Sequence, residues 1–88
     1  MKVEYSKQSL KDLAVIPSKL RTPIEKFIFN ELPETTSISE SKKIELLKGY
    51  KNFFKVRLGN YRVGIYKEGN TLIVKRILHC KEIYRYFP

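Results

Sequence analysis

Two alternating segments joined by Gly59-Asn60 constrain the fold more than any other feature of this chain. Residues 52–58 and 61–66 each alternate between apolar positions and positions that are mainly basic or aromatic, which is the period of a half-buried β-strand. Gly59-Asn60 is a two-residue turn signal between them. The sequence therefore predicts a β-hairpin with one apolar and one basic face. The second face, which we call the basic face, carries Lys55, Arg57 and Arg62.

The register of this hairpin follows from its short turn. A two-residue loop places Arg57 directly opposite Arg62, with Cβ atoms about 4.5–5.5 Å apart. Opposed like charges are destabilising unless a bound anion or solvent screens them. Lys55 then lies opposite Gly64, and a glycine leaves the backbone open to close approach by a ligand. The basic face is therefore a candidate phosphate site, although a solvated outer sheet face would have the same composition.

The segment before the hairpin predicts one strand and two helices. Residues 2–5 have the pattern of a short strand, and Ser6 can cap a helix that ends before Pro17. Apolar residues then recur at helical spacing from Leu20 to Leu32. Pro23 fits the first turn of this second helix, where no backbone N–H is needed.

A third strand and a short helix are predicted after the hairpin. Thr71–Leu78 is apolar on both faces, as a covered strand would be, and Lys81–Pro88 is aromatic and basic. A chain of 88 residues has room for one small core. We therefore expect a single domain over residues 1–88, of the α+β class. In this fold, two N-terminal helices pack on a mostly antiparallel sheet of about four strands.

Cysteine content and hydropathy exclude several classes of protein. Cys80 is the only cysteine, so neither a disulfide framework nor a zinc site built on cysteine pairs is possible. We expect no metal or other cofactor. No apolar stretch approaches the roughly 20 residues of a membrane helix. The first residues lack the apolar segment of a signal peptide, so we expect a soluble cytoplasmic protein.

The positive charge is concentrated in the second half of the chain. The net charge is +9. Residues 1–44 carry 8 Lys and Arg against 6 Asp and Glu, whereas residues 45–88 carry 10 against 3. This asymmetry indicates an anion-binding face, with RNA phosphate as the favoured ligand. The alternative is a basic surface that serves only solubility.

Three further residues near the basic face have side chains suited to proton transfer. His79 has the same strand parity as Lys75, and a simple register would place it on the basic face as an acid or a phosphate ligand. It could equally be a strand-end histidine hydrogen-bonded to the backbone. Tyr84 could stack on a base or donate a proton, or it could pack in the core. Glu45 is either a charge partner for Lys48 or a proton acceptor.

Two segments of the chain resemble the signature of the RelE/ParE superfamily of bacterial toxins. In that superfamily L-K-G is followed by R-x-R-x-G-x-Y-R. Here Leu47-Lys48-Gly49 precedes the sequence Phe-Lys-Val-Arg-Leu-Gly-Asn-Tyr-Arg-Val at residues 54–63. Residues 77–85 are similar to the family ending G-H-R-x-x-I/V-Y. The resemblance covers essentially the whole chain and implies a compact fold like that of microbial ribonucleases.

The RelE branch of the family implies a ribosome-dependent endoribonuclease that cuts mRNA by attack of a ribose 2′-OH on the adjacent phosphate. By this resemblance Lys55 and Arg57 are basic residues of the catalytic strand, and Arg62 binds the scissile phosphate. Tyr84 orients or stacks on a base, and Glu45 matches a catalytic glutamate of one branch. His79 completes the candidate catalytic set. The candidate RNA-binding residues are Lys48, Lys51, Phe53, Tyr66, Lys75, Lys81 and Arg85.

One departure from the family pattern leaves other functions open. Cys80 stands where the family has arginine, and Lys81 lies one position later. The leading hypothesis is an mRNA interferase whose partners are an acidic antitoxin, the 70S ribosome and mRNA. A ParE-like toxin that inhibits DNA gyrase is one alternative. A catalytically weakened RNA-binding member is the other, and Cys80 favours it.

Overall fold

The computed structural model describes all residues from Met1 to Pro88 and contains five strands and three α-helices. The sheet order is β1-β5-β4-β3-β2, antiparallel except that β1 runs parallel to β5. This architecture confirms the predicted α+β class. The elements are β1 Lys2–Tyr5, α1 Lys7–Ala14, α2 Ser18–Glu25, β2 Ile44–Leu46, β3 Phe53–Leu58, β4 Tyr61–Glu68, β5 Thr71–His79 and α3 Ile83–Tyr86.

The expected number of strands was too low because β2 has no pattern in the sequence. It spans only Ile44–Leu46 and pairs with Phe54–Val56 of β3. Ile44 is buried, but Glu45 and Leu46 are both exposed, so no alternation can be detected over so few residues. The strand forms because its backbone completes the hydrogen bonds of the β3 edge.

Helix α2 begins earlier than the sequence indicates. It starts at Ser18, so Pro23 lies in the interior of the helix and not in its first turn. The helical path continues beyond α2 as a wider π-helical segment, Lys26–Glu31, and a 3₁₀ turn, Leu32–Glu34. Since Pro23 has no N–H, the helix forgoes one backbone hydrogen bond there. Burial of the apolar stripe offsets this loss.

The core lies between α2 with its extension and one face of the sheet. Ile24, Ile28 and Leu32 of the helical stripe are at most 1% exposed. They belong to one apolar cluster with Val56 and Val63 of the central strands. Leu20, which also belongs to the predicted stripe, is 52% exposed and lies outside this core.

Helix α1 closes the edge of β5 that β1 leaves unpaired. β1 pairs with β5 only as far as Tyr5 and Val74. Beyond that point, the carboxylate of Asp12 accepts hydrogen bonds from the Ile77 backbone N–H (3.0 Å) and from Arg76 Nε (2.9 Å). Asp12 is 7% exposed, so this is a buried charge with a guanidinium partner and a backbone donor.

The surroundings of Asp12 determine its pKa. Burial alone would raise the pKa of the carboxyl. Hydrogen bonds from Arg76, the Ile77 N–H and Gln8, together with the charge of Arg76, outweigh that effect and hold the pKa below its usual value. A lowered carboxyl pKa stabilises the fold above the unfolded-state pKa of about 3.9. This stabilisation is lost as the pH falls from there through the folded-state pKa.

Asp12→Ala is expected to lower the free energy of unfolding by about 2–3 kcal/mol at neutral pH, because Arg76 and the Ile77 N–H lose their acceptor. Urea unfolding followed by circular dichroism measures this loss. Glu31→Ala is the control, because it removes the exposed pair with Lys43 and should cost less than about 1 kcal/mol. Equal losses in the two variants, or an unchanged acid transition below pH 4 in Asp12→Ala, would contradict this account.

Candidate functional site

The register of β3 and β4 confirms the predicted arrangement of the basic face. Arg57 pairs with Arg62, and Lys55 pairs with Gly64. Val56 and Val63, which alternate with these cations along β3 and β4, face the core. Lys55, Arg57 and Arg62 therefore share the side of the sheet that faces away from α2. Gly59, at the first position of the turn, has a φ of 61°, a conformation that favours glycine.

The backbone at Gly64 is covered by another part of the chain and is not open to a ligand. An added Cβ at Gly64 would lie 2.8 Å from ring atoms of Phe87. Phe87 is 3% exposed and forms a second apolar cluster with Leu47 and Ile83. The prediction of an open backbone at Gly64 is therefore wrong, because the C-terminal ring fills the space that the missing side chain leaves.

Packing of Phe87 brings Tyr84 over the basic face. Lys55 Nζ donates a hydrogen bond of 2.6 Å to the Tyr84 hydroxyl and lies 5.3 Å from the centre of its ring. The two side chains line a depression of about 370 Å³, which we call the Lys55 groove. Its lining consists of Leu47, Lys48, Tyr50, Lys55, Tyr84, Phe87 and Pro88. All the charged side chains in this lining are lysines, so the groove suits an anion.

The two arginines of the basic face differ in their contacts. Arg62 is half-buried, and its Nη1 donates to the carbonyl oxygens of Gly59 and Tyr61, both at 2.9 Å. These bonds hold the guanidinium near the turn. Arg57 is exposed, and none of the ion pairs in the structure involves it. Arg57 therefore keeps its donors free for an incoming anion.

Glu45 lies next to Lys55 and not in an ion pair with Lys48. It pairs with Lys55 across β2 and β3, so both side chains lie on the same face of the sheet. The ion pairs of the structure do not include Glu45, and its side chain is exposed. This position gives the basic face one carboxylate beside its lysine.

His79 lies on the opposite face of the sheet from the one that the simple register predicts. The pairing shifts between Gly64 with Arg76 and Ile65 with Val74, so Lys75 is the additional residue of a β-bulge. His79 therefore pairs with Tyr61, on the core side, with ring centres 5.7 Å apart. Its Nδ1 accepts a hydrogen bond from the Lys81 N–H, which matches the alternative of a strand-end histidine bonded to backbone.

The other RNA-binding candidates fall into two groups. Phe53 and Tyr66 are opposed across the hairpin with ring centres 4.8 Å apart, and Phe53 also packs on Phe87. Phe53 therefore supports the tail, and Tyr66 packs on Phe53. The exposed group comprises Lys48, Lys51, Lys75, Lys81 and Arg85, the last of which pairs with Glu82 at 3.8 Å. Among these, Lys48 lines the Lys55 groove.

Two residues that line the Lys55 groove, Tyr50 and Pro88, belong to no motif or alternating pattern in the sequence. Tyr50 is 52% exposed and stands edge-on to Phe53 at 6.1 Å. Pro88 follows the buried Phe87 at the rim. Their position depends on a tertiary contact between the loop after β2 and the C-terminal tail.

The structure contains no cluster of His, Cys, Asp and Glu side chains that could hold a metal ion. None of its helices combines the length and the apolar character needed to span a membrane.

Comparisons with known proteins assign the family. Residues 3–84 match the family model described as ParE toxin of the type II toxin-antitoxin system parDE. The chain is 44% identical over 89 residues to Toxin RelE3 of Methanocaldococcus jannaschii, covering 100% of each protein. It also resembles the RelB-RelE antitoxin-toxin complex from Methanococcus jannaschii, with 40% identity, a TM-score of 0.78, and coverage of 97% of this chain and 99% of that one.

A more distant structure supports the fold alone. The toxin-antitoxin complex RelBE of E. coli is 18% identical with a TM-score of 0.69, covering 89% of this chain and 94% of that chain. The sheet order, the basic hairpin and the full-length similarity all point to one assignment. The chain belongs to the RelE/ParE superfamily of toxins from type II toxin–antitoxin systems.

Proposed function

We propose that this toxin is an endoribonuclease that cleaves mRNA on the ribosome. In the proposed reaction a ribose 2′-OH attacks the adjacent phosphorus, the O2′–P bond forms and the P–O5′ bond breaks. Such a reaction needs a base for the 2′-OH proton, cations for the charge on the phosphate oxygens and an acid for O5′. The basic face presents cations, a carboxylate and a hydroxyl within one small area.

The contact between Lys55 and Tyr84 is the main structural support for a catalytic site on this face. Lys55 Nζ donates to the Tyr84 oxygen at 2.6 Å, so the hydroxyl proton of Tyr84 is free to point into the groove. An ammonium and a hydroxyl donor side by side match two oxygens of one phosphate.

The neighbouring residues receive roles from their positions. Arg57 and Arg62 lie on the same face as Lys55 and bind the phosphate as its negative charge increases. Glu45, opposite Lys55, is the proposed acceptor of the 2′-OH proton. Tyr84 orients the substrate, and its hydroxyl is the proposed donor of a proton to the leaving O5′. Since His79 lies on the core side, we assign it no catalytic part.

The proposed partners follow from the charge of the protein and from the relatives. The net charge of +9 favours RNA and an acidic protein partner. The similar structure from Methanococcus jannaschii is a complex of toxin with the RelB antitoxin. We therefore propose that a cognate antitoxin covers the basic face, that the substrate is mRNA in the 70S ribosome, and that the toxin acts in the cytoplasm.

Two other functions remain alternatives with specific support. The matching family model describes ParE toxins, which favours a ParE-like toxin that inhibits DNA gyrase. Cys80, which replaces an arginine of the family pattern, favours a weakened RNA-binding member. The full set of Lys55, Arg57 and Arg62 on one face is the reason that we prefer the nuclease.

Induced expression in bacteria tests the proposed function directly. Primer extension on cellular mRNA should reveal new 5′ ends within minutes of induction, together with growth arrest, and co-expression of a cognate antitoxin should prevent both. Plasmid supercoiling measured in the same cultures should not change. Relaxed plasmids with intact mRNA would identify the gyrase target. Tight RNA binding with a steep salt dependence and no new ends would identify the weakened member.

A further inference from the structure

A second depression of about 430 Å³ lies at the turn end of the hairpin, and we call it the turn pocket. Its walls are the start of α2 and the β3–β4 turn, with the end of β5 at one side. The lining residues are Lys19, Leu20, Pro23, Arg57, Leu58, Gly59, Asn60, Tyr61 and His79. This pocket shares no residue with the Lys55 groove, so the two form separate depressions.

The turn pocket combines an apolar floor with a basic rim. Leu20 is 52% exposed at a helix position that the core does not use, and its side chain borders the pocket beside Pro23. The Tyr61 and His79 rings meet edge to face at 5.7 Å and form an aromatic wall. Lys19 and Arg57 supply the charged rim, and the lining contains no acidic residue. An unpaired ribonucleotide is complementary to this pocket, because its base can pack on the apolar floor while its anionic phosphate contacts the basic rim.

The spacing along β3 relates the turn pocket to the Lys55 groove. Arg57 follows Lys55 by two residues on the same face, which is a separation of roughly 7 Å along the strand. This is similar to one nucleotide step in an extended single strand. An RNA with one phosphate at Lys55 therefore brings a neighbouring phosphate to Arg57, which borders the turn pocket. The pocket lies on the α2 side of the sheet, so the base reaches it by passing around the β3–β4 turn.

We propose that the turn pocket binds the nucleotide next to the phosphate held at Lys55, on the same RNA strand. This proposal rests on RNA as the substrate of the basic face. In this proposal the His79 ring packs against a base and does not act as a proton donor. The proposal also gives the exposed Leu20 a ligand contact.

Nuclear magnetic resonance with an uncleavable RNA tests this proposal. A 2′-O-methyl tetranucleotide is titrated into the ¹⁵N-labelled full-length toxin without ribosomes. We expect amide shifts at Lys19, Leu20 and His79 in addition to those around Lys55. The double variant Lys19→Ala/Leu20→Ser should bind the oligonucleotide about ten-fold more weakly. The matched control, Lys26→Ala/Val15→Ser, changes an exposed lysine and an exposed valine outside the pocket and should bind as the wild type does.

Two outcomes would overturn the proposal. Shifts confined to the Lys55 groove would show that substrate RNA does not enter the turn pocket. Equal weakening in the test and control variants would show only a general effect of charge. Because this titration needs no cleavage, a toxin that binds RNA in both depressions but leaves mRNA intact would refute the nuclease and support the turn pocket.

Discussion

Lys55→Ala is expected to lower the rate of ribosome-dependent mRNA cleavage by about 10²–10³-fold, the usual effect of removing one positioned donor from a transition state. Two losses combine in this variant. The phosphate loses a cation, and Tyr84 loses the ammonium that fixes its hydroxyl at 2.6 Å. Single-turnover cleavage on programmed ribosomes measures the effect, because product release does not limit that rate.

Companion variants separate the two contributions of Lys55. Tyr84→Phe removes only the hydroxyl and is expected to reduce the rate less than Lys55→Ala does. Lys55→Arg keeps the charge and should retain part of the activity, although its fork cannot reproduce the single contact with Tyr84. Lys42→Ala, at an exposed position between the 3₁₀ turn Ile38–Glu40 and β2, is the charge control. Wild-type cleavage by Lys55→Ala would remove Lys55 from the mechanism.

Gly64→Ala is expected to lower the free energy of unfolding by about 1–3 kcal/mol and to abolish toxicity. The added methyl group would lie 2.8 Å from the Phe87 ring, closer than carbon atoms pack, in a site where Gly64 is buried. The ring must leave the sheet, and α3 carries Tyr84 away from Lys55 with it. Denaturant unfolding and growth after induction measure the two effects.

A double-mutant cycle distinguishes this steric conflict from a general weakness of β4. Phe87→Ala alone should destabilise the fold by about 3 kcal/mol, since it empties the space over the sheet. In that background Gly64→Ala should cost much less than it does in the wild type, because no ring opposes the new methyl group. Additive losses would show that Gly64 matters for a reason other than the Phe87 ring.

The sequence could predict the hairpin because its determinants are local. Alternation assigns each residue of β3 and β4 to a face, and the two-residue turn at Gly59 sets the pairing of Arg57 with Arg62. The apolar stripe of α2 and its extension likewise depends on spacing within one helical segment, and only its first member, Leu20, lies outside the core. The positions of Lys55, Arg57 and Arg62 on one face could therefore be predicted from residues close together in the sequence.

Longer-range features could not be predicted in this way. The bulge at Lys75 reverses the parity of the end of β5, and it forms where α1 takes over the strand edge from β1. One additional residue was enough to move His79 to the other face. The cover over Gly64 comes from Phe87, 23 positions along the chain, and no local pattern links the two. Strand β2 depends in the same way on the edge that β3 offers.

Whether the basic face catalyses attack by a ribose 2′-OH can be tested with one modified substrate. An mRNA is placed on the ribosome with a single 2′-deoxy nucleotide at the mapped cleavage position, beside an all-ribose control. We expect the purified toxin to cut the control and to leave the substituted position intact, because the attacking group is missing. Cleavage at the deoxy position at the control rate would contradict the account.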